Sequence, residues 1–362
     1  MRGRGHMSCF RREAYGCLPE PPVRATPDPG GRSRMIAFKA LVKAGVVAFC
    51  ICSAAARGQA QPSGQWKLDS EGLAKVGTQV KVERFTSAAA TQIKAAGFSF
   101  VRFGVWVNAM QTAAYQKRVG AAFAAAQEAG LPVLVTVRST ISLVLPSSNG
   151  SARNAQLRDA AKQLTSVIGG VVSAYGNNVL AIELWNEPEL TTYWPTGNAD
   201  TTFPIYMQAV CAGLKTLHKS IPVVGFGFAT VPARGTQSDK LLESIRGSSA
   251  HCIDAVSYHA YGMNELQIQQ ASRYIRSRYG LPALITEWGI SSGGKGGLTG
   301  QAAHINSFLM GRQSLNTPLI SIYEWQDTVN GKNARERNFG LLDALGARKP
   351  AFGAAAIALR NQ

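Results

Sequence analysis

Charged residues are scarce in this chain, and acidic ones especially so. Only 16% of the 362 residues are charged, and 38 Lys and Arg outnumber 21 Asp and Glu, for a formal net charge of +17. Residues 1–60 hold 10 of the basic and 3 of the acidic residues, so the rest carries 28 minus 18, or +10. No Lys and Arg block with interleaved aromatic residues follows, which argues against nucleic acid as a partner. We expect a basic surface that helps the protein approach an anionic polymer.

Cysteine is also rare. Four of the six cysteines precede residue 60, and only Cys211 and Cys252 remain beyond it. No Cys and His cluster has zinc spacing, and the glycine-rich stretch 293–297 lacks the spacing of a phosphate-binding loop. We therefore expect neither a metal nor a cofactor. In an exported protein Cys211 and Cys252 would form a disulfide, or they would stay buried thiols, and the sequence leaves both readings open.

The N-terminal region has no apolar run long enough to span a membrane as a helix of roughly 20 residues. Residues 35–60 instead have the order of a secretory signal, with Met35, the basic Lys39 and Lys43, and a short apolar run that ends in small residues. We expect a secreted or periplasmic protein without stable membrane insertion after cleavage. Residues 1–34 would be absent from it, because translation would start at Met35. An uncleaved membrane anchor is the alternative.

From residue 61 to residue 362, predicted strands and helices alternate, which is typical of a parallel α/β fold. Eight such strands indicate a single-domain (β/α)8 TIM barrel. A doubly wound open sheet is the alternative, but it would usually have a glycine-rich turn after its first strand. The predicted strands are Val76–Val82, Phe98–Val105, Leu131–Val137, Val179–Leu184, Pro222–Phe228, Ile253–Tyr258, Leu281–Ile285 and Leu319–Trp325.

Two of these strands run into a glutamate, Glu187 after the fourth and Glu287 after the seventh. The carboxyl ends of the strands of a parallel barrel meet on one face, where such folds keep their active sites. We therefore expect the two carboxylates to lie together. Other candidate site residues fall on the same face: Arg102, Asn186, His259, Tyr261 and Trp325.

Three stretches, Trp185-Asn186-Glu187-Pro188, His259-Ala260-Tyr261 and Thr286-Glu287-Trp288-Gly289, resemble the signature of clan A glycoside hydrolases, the cellulase-like barrels. The resemblance covers about residues 70–355. It implies that Glu187 is the general acid/base and Glu287 the nucleophile, and that Asn186 binds the sugar 2-hydroxyl. The third strand ends in Thr136–Thr140, without the His that many members of the large cellulase family carry near the end of strand three or four, so the family within the clan stays open.

Retaining glycoside hydrolysis requires two carboxyl groups about 5 to 5.5 Å apart. We expect Arg102 to keep Glu287 ionised and Tyr261 to donate a hydrogen bond to it, while Glu187 stays protonated long enough to act as an acid. Trp325 would supply an apolar floor for the sugar ring. Trp194, beside Tyr193, would stack on a sugar in the leaving-group subsite, unless these aromatic residues only hold their loop.

The sequence thus predicts a retaining glycoside hydrolase that acts by double displacement on a β-linked polysaccharide or oligosaccharide. β-Glucan, xylan or a xyloside, and a bacterial exopolysaccharide are the candidate substrates, and exo and endo action both stay open. We expect a monomer. The alternative function is a non-catalytic glycan-binding barrel, which would have little reason to keep two adjacent carboxylates.

Overall fold

The computed structural model describes residues 74–217, 221–246 and 252–360, so the predicted signal lies outside the described residues. Eight parallel strands form a closed barrel in chain order, with β8 pairing with β1. The predicted (β/α)8 barrel is confirmed, and the closure excludes an open doubly wound sheet. The strands are β1 Lys75–Gln79, β2 Phe100–Trp106, β3 Val133–Arg138, β4 Val179–Leu184, β5 Val223–Phe228, β6 Ala255–His259, β7 Ala283–Trp288 and β8 Leu319–Ile322.

Helices follow the strands, and several begin and end at residues that the sequence marks. The side chain of Asn264 accepts a hydrogen bond from the Gln267 backbone N–H at the start of the sixth helix, which ends at Gly280 in the left-handed conformation. None of the described helices is both long and apolar enough to cross a membrane. The helices are α1 Ser87–Ala95, α2 Ala113–Glu128, α3 Gly150–Tyr175, α4 Ala199–Thr216, α5 Gln237–Arg246, α6 Glu265–Tyr279, α7 Gly297–Met310, the short α8 Ala334–Arg337 and α9 Pro350–Arg360.

Side chains that point into the barrel form layers, because alternate residues of a strand face the same side. An apolar layer near the amino ends of the strands consists of Phe100, Leu134, Ala181, Val224, Ala255, Leu284 and Leu319. Two residues further along six of these strands lies a layer of buried polar side chains, which we call the polar layer: Arg102, Thr136, Glu183, Ser257, Thr286 and Ser321. The candidate active site lies directly above the polar layer, at the carboxyl ends of the strands.

A disulfide links the helix layer to the barrel. Cys211 in α4 is bonded to Cys252, which lies three residues before β6, and their Cα atoms are 5.1 Å apart. Of the two readings that the sequence left open for this pair, the structure has the disulfide.

Candidate active site

The turn after β4 presents Asn186 and Glu187 to the barrel mouth. Trp185 and Glu187 both adopt left-handed backbone conformations, with φ of 72° and 52°, which non-glycine residues rarely do. The turn is held from both sides, because the Glu187 N–H donates to the Gly227 carbonyl at 2.9 Å and the buried Trp185 indole donates to the Tyr193 carbonyl at 2.9 Å. The irregular backbone therefore directs the two polar side chains toward the barrel mouth.

The two predicted catalytic carboxylates meet above the polar layer. A carboxylate oxygen of Glu187 and one of Glu287 lie within 4.8 Å of each other, and both residues are buried. A pair of this kind is close to the separation of about 5 to 5.5 Å that retaining hydrolysis uses. The inverting arrangement instead keeps about 6.5 to 9.5 Å between the carboxyl groups to admit a water.

Arg102 connects most of the site. Its Nη1 donates to Glu287 at 2.5 Å, its Nε donates to Glu183 at 2.8 Å, and its Nη2 donates to Asn186 Oδ1 at 3.0 Å. Burial alone would lower the pKa of Arg102, but the charges of Glu183 and Glu287 outweigh it and raise that pKa. The predicted contact between Arg102 and Glu287 is present.

Glu183 is a site residue that the sequence analysis missed. It is fully buried, and its Oε2 also accepts a hydrogen bond from Thr136 at 2.7 Å. Burial would raise the pKa of Glu183, but the Arg102 charge and the Thr136 hydroxyl outweigh burial and lower it. The available signal was an acidic residue inside the apolar strand β4, at an inward-facing position.

Tyr261 and His259 complete the surroundings of the two glutamates. The Tyr261 hydroxyl donates to Glu287 Oε2 at 2.9 Å, and burial together with the Glu287 charge raises the pKa of Tyr261 well above its ordinary value. His259 Nδ1 lies 2.7 Å from Glu187 and 3.5 Å from Glu287. Burial would lower the pKa of His259, but the two carboxylates outweigh it and raise that pKa. His259 thus bonds the acid/base candidate, while Tyr261 bonds the nucleophile candidate.

The prediction that Trp325 forms a sugar floor is wrong. Its side chain is only 4% exposed and packs edge-on against Phe98 and Phe352, on the helix side of the barrel. The half-buried Tyr323 lies at the site instead, with its ring centroid 6.0 Å from that of Tyr261. Alternation along β8 stops after Ile322, so Trp325 does not share the inward direction of Tyr323.

Trp194 does not reach the site either. It is 1% exposed, its ring packs against Trp185 with centroids 4.6 Å apart, and its indole N–H donates to Thr202 at 2.8 Å. It therefore holds its loop against the core, which is the alternative that the sequence left open. Its neighbour Tyr193 lies beside the site, where the guanidinium carbon of Arg138 is 5.2 Å from the ring centroid.

Among the described residues, Glu187, His259 and Glu287 are the group whose atoms lie close enough together to hold a metal ion. Arg102 already places a positive charge against Glu287, and Tyr261 donates to its second oxygen. A cation at this position would compete with both of them. The arrangement suits proton transfer and nucleophilic attack by paired carboxyl groups.

Comparisons with solved structures agree on the fold. A family 39 glycoside hydrolase from the gut symbiont Bacteroides cellulosilyticus WH2 is 18% identical, with a TM-score of 0.62, over 81% of this chain and 65% of that one. A glucosidase from Croceicoccus marinus is 15% identical, with a TM-score of 0.63, over 82% of this chain and 68% of that one. An exo-β-1,4-mannosidase from Opitutaceae bacterium strain TAV5 is 15% identical, with a TM-score of 0.60, over 82% and 62%. The chain thus spans about two thirds of the length of these proteins, and at such identities the likeness establishes the fold alone.

No curated protein matches the sequence. The profile of the cellulase family, glycosyl hydrolase family 5, matches residues 67–316, which is well over half of the chain and includes both glutamates. The end of the third strand had left the family within clan A open, and this match assigns the family. The chain belongs to the cellulase family, glycosyl hydrolase family 5.

Proposed function

We propose that the protein is a retaining glycoside hydrolase that cleaves a β-linked polysaccharide or oligosaccharide by double displacement. The observation that carries the proposal is the pair of carboxylates within 4.8 Å, one of which accepts hydrogen bonds from Arg102 and Tyr261. The two donors hold Glu287 in place as the carboxylate that attacks carbon. Family membership supports the same reaction class.

In the first step, an oxygen of Glu287 bonds to the anomeric carbon while the bond from that carbon to the leaving oxygen breaks. Glu187 gives its proton to the leaving oxygen. In the second step, Glu187 takes a proton from water, the water oxygen attacks the anomeric carbon, and Glu287 leaves as a carboxylate. Asn186 uses its oxygen to accept from Arg102, so its NH2 group is left to donate to a sugar hydroxyl.

His259 and Arg102 would hold the two carboxyl groups in position through this cycle. His259 bonds Glu187 at 2.7 Å and is the nearest titratable group to the proton that Glu187 gives and regains. Arg102 stays cationic throughout and holds Glu287 in place for attack. The sugar, the linkage and the choice between exo and endo action depend on the loops around the mouth.

The test is a screen for released reducing ends on a panel of β-linked glycans. We expect activity on at least one glycan, a product that keeps its anomeric configuration by NMR, and loss of activity in Glu287→Gln. Glu243→Gln, which makes the same change on an exposed helix position, serves as the control and should keep full activity. Binding without any hydrolysis across the panel would favour the non-catalytic glycan-binding barrel, and an inverted product would refute double displacement.

The roles of the two glutamates can be separated with an activated aryl glycoside, whose leaving group hardly needs a proton. Glu187→Ala should keep much of its glycosylation rate on this substrate but lose its activity on a natural glycan. Added azide should speed turnover by this variant and give a product of retained configuration. In Glu287→Ala, activity on both substrates should fall by several orders of magnitude. This loss exceeds the roughly 10²- to 10⁴-fold contribution of a proton transfer. With Glu287→Ala, azide should give an inverted product. The opposite stereochemical pattern would reverse the two roles.

We also propose that the protein is exported, on the basis of the charged and apolar order of residues 35–60. N-terminal sequencing of protein from the native host tests this proposal. A mature chain that begins between about Arg57 and Pro62 is the expected result. A cytoplasmic product that begins at Met1 would contradict it.

A further inference from the structure

Arg138 is a second arginine at the barrel mouth, and the mechanism above does not use it. It lies two residues after Thr136 of the polar layer, so strand alternation directs it inward and one level higher. The charges of Glu187, Glu287 and Arg102 all act on it. It therefore faces the same space as the catalytic pair.

No acidic residue in the described part of the chain forms an ion pair with Arg138, although its side chain is buried to 8% exposure. Nη1 donates to the Ser139 carbonyl at 3.2 Å. Nε is buried without any hydrogen-bond partner. The edge of the guanidinium formed by Nε and Nη2 thus has no acceptor among the described residues.

Aromatic rings cover the guanidinium where carboxylates would be expected. Its central carbon lies 4.8 Å from the ring centroid of Trp106 and 5.2 Å from that of Tyr193. Such contacts stabilise a cation through the ring faces but accept no in-plane hydrogen bonds. Burying a charge without an anionic partner is costly, and burial lowers the pKa of Arg138 accordingly. A buried arginine held in this way is preorganised for an acceptor from outside the chain.

We propose that Arg138 binds a carboxylate on the glycan, so that the substrate of this site is an acidic β-linked polysaccharide or oligosaccharide. This inference rests on the proposed function and names its substrate class. The Nε and Nη2 edge of an arginine matches a carboxylate with two parallel hydrogen bonds. The carboxylate belongs either to a uronic acid or to an acyl or ketal substituent such as succinate or pyruvate, and the two sources present the same group.

Two further features fit an acidic ligand better than a neutral one. The sugar hydroxyls of a neutral glycan need only neutral donors such as Asn186, and they would leave the charge of Arg138 uncompensated. An acidic glycan, in contrast, would be repelled by the closely spaced Glu187 and Glu287 unless a cation beside them offset that charge. The excess of basic residues beyond residue 60 also favours the approach of an anionic polymer.

The test measures binding rather than turnover, on protein that carries Glu287→Gln. Calorimetry would compare matched oligosaccharide pairs: glucuronoxylan fragments before and after carboxyl reduction for the uronate source, and pyruvylated xanthan fragments before and after removal of pyruvate for the substituent source. We expect at least one acidic member to bind about 10- to 100-fold more tightly than its neutral partner, which is the range for a charge-assisted contact. The pair that discriminates identifies the source of the carboxylate.

Substitutions at Arg138 in the same background assign that preference. Arg138→Met should remove it while leaving the affinity for the neutral member within about threefold, and Arg138→Lys should keep only part of it, because lysine has the charge without the fork. Arg158→Met, which removes the same charge from an exposed position on α3, should leave the preference unchanged. Retained affinity for the neutral member also shows that a variant is folded.

Equal binding of both members in every pair, or binding of neither member, would overturn the inference. So would an equal loss of acidic and neutral binding in Arg138→Met, because Arg138 would then contact hydroxyls. These results are separable from the proposed function. Hydrolysis of neutral glycans without acidic preference would leave the glycosidase intact, whereas acidic preference without any hydrolysis would remove the glycosidase and keep the binding site.

Discussion

Two arginines on neighbouring strands point into the same barrel mouth, yet they have opposite surroundings. Arg102 on β2 contacts Glu183 and Glu287, and its pKa is raised. Arg138 on β3 has two aromatic rings and no carboxylate partner among the described residues, and its pKa is lowered. The same residue type therefore serves as an internal connection in one region and as an open binding position in the other.

This contrast distinguishes an arginine that the fold needs from one that is available to a ligand. A buried charge with internal partners is needed by the fold, so its removal leaves other charges unpaired. A buried charge without partners reduces stability and is explained by something outside the chain. Three substitutions test this contrast through stability alone.

Removing the paired arginine should have the largest effect. Arg102→Met leaves Glu183 and Glu287 buried without their cation, and we expect the free energy of unfolding at neutral pH to fall by about 3 to 5 kcal/mol. Urea unfolding measures the change. Adding Glu183→Gln to Arg102→Met should restore part of the loss, because one unpaired charge is then gone. A loss below about 1 kcal/mol would mean that the buried network contributes little, and the contrast between the two arginines would fail.

Glu189 extends the comparison to carboxylates, because it forms no ion pair with any described residue and burial raises its pKa from 4.5 to about 7. Its Oε1 accepts from the Thr230 N–H, and Oε2 has no partner. A raised pKa in the folded state gives stability that is present below pH 4.5 and is lost as the pH rises to about 7. Glu189→Gln removes this titration while keeping an oxygen for Thr230.

We therefore expect Glu189→Gln to gain on the wild type between pH 4.5 and pH 7, by at most about 3 kcal/mol. Urea unfolding of both proteins from pH 4 to pH 8 checks this. Parallel stability curves would show that Glu189 titrates normally. In that case the lack of an ion-pair partner at Glu189 would have no measurable effect on the free energy of unfolding.

Removing the unpaired arginine should have the smallest effect. Arg138→Met loses the contacts of a cation with Trp106 and Tyr193, but it also removes a buried charge and leaves a flexible apolar side chain against both rings. We expect the free energy of unfolding to stay within about 1 kcal/mol of the wild type, or to increase. The same denaturation experiment as for Arg102→Met measures it. A loss as large as that of Arg102→Met would show that Arg138 is needed by the fold.

The fold could be predicted from the sequence because apolar runs and helical spacing repeat eight times along the chain. Predicted and observed bounds agree fully for β4, which directly follows a short 3-10 turn at Gly176–Asn178. They differ at β7, which is predicted as Leu281–Ile285 and observed as Ala283–Trp288. The polar residues Thr286 and Glu287 interrupt the apolar run, so the end of this strand had to be seen in the structure.

The predicted catalytic pair and its donors come together, because each of these residues follows directly from a strand end. The aromatic residues Trp194 and Trp325 do not follow directly from a strand end. After β4 and β8 the side chains no longer alternate between the two faces of the sheet. Trp194 and Trp325 are thereby buried in the core, and Tyr323 lies at the site. Glu183 was missed for a different reason, because strand periodicity marks which side a residue faces but not which charge it meets there.

The bond between Cys211 and Cys252 closes a loop that contains β5 and α5, across a sequence separation of 41. By the chain-entropy account, closing a loop of this size restricts the unfolded chain by roughly 4 kcal/mol. The bond thereby tethers the strand–helix unit inside the loop between α4 and β6. A reducing medium would break this disulfide and leave every group at the barrel mouth chemically unchanged.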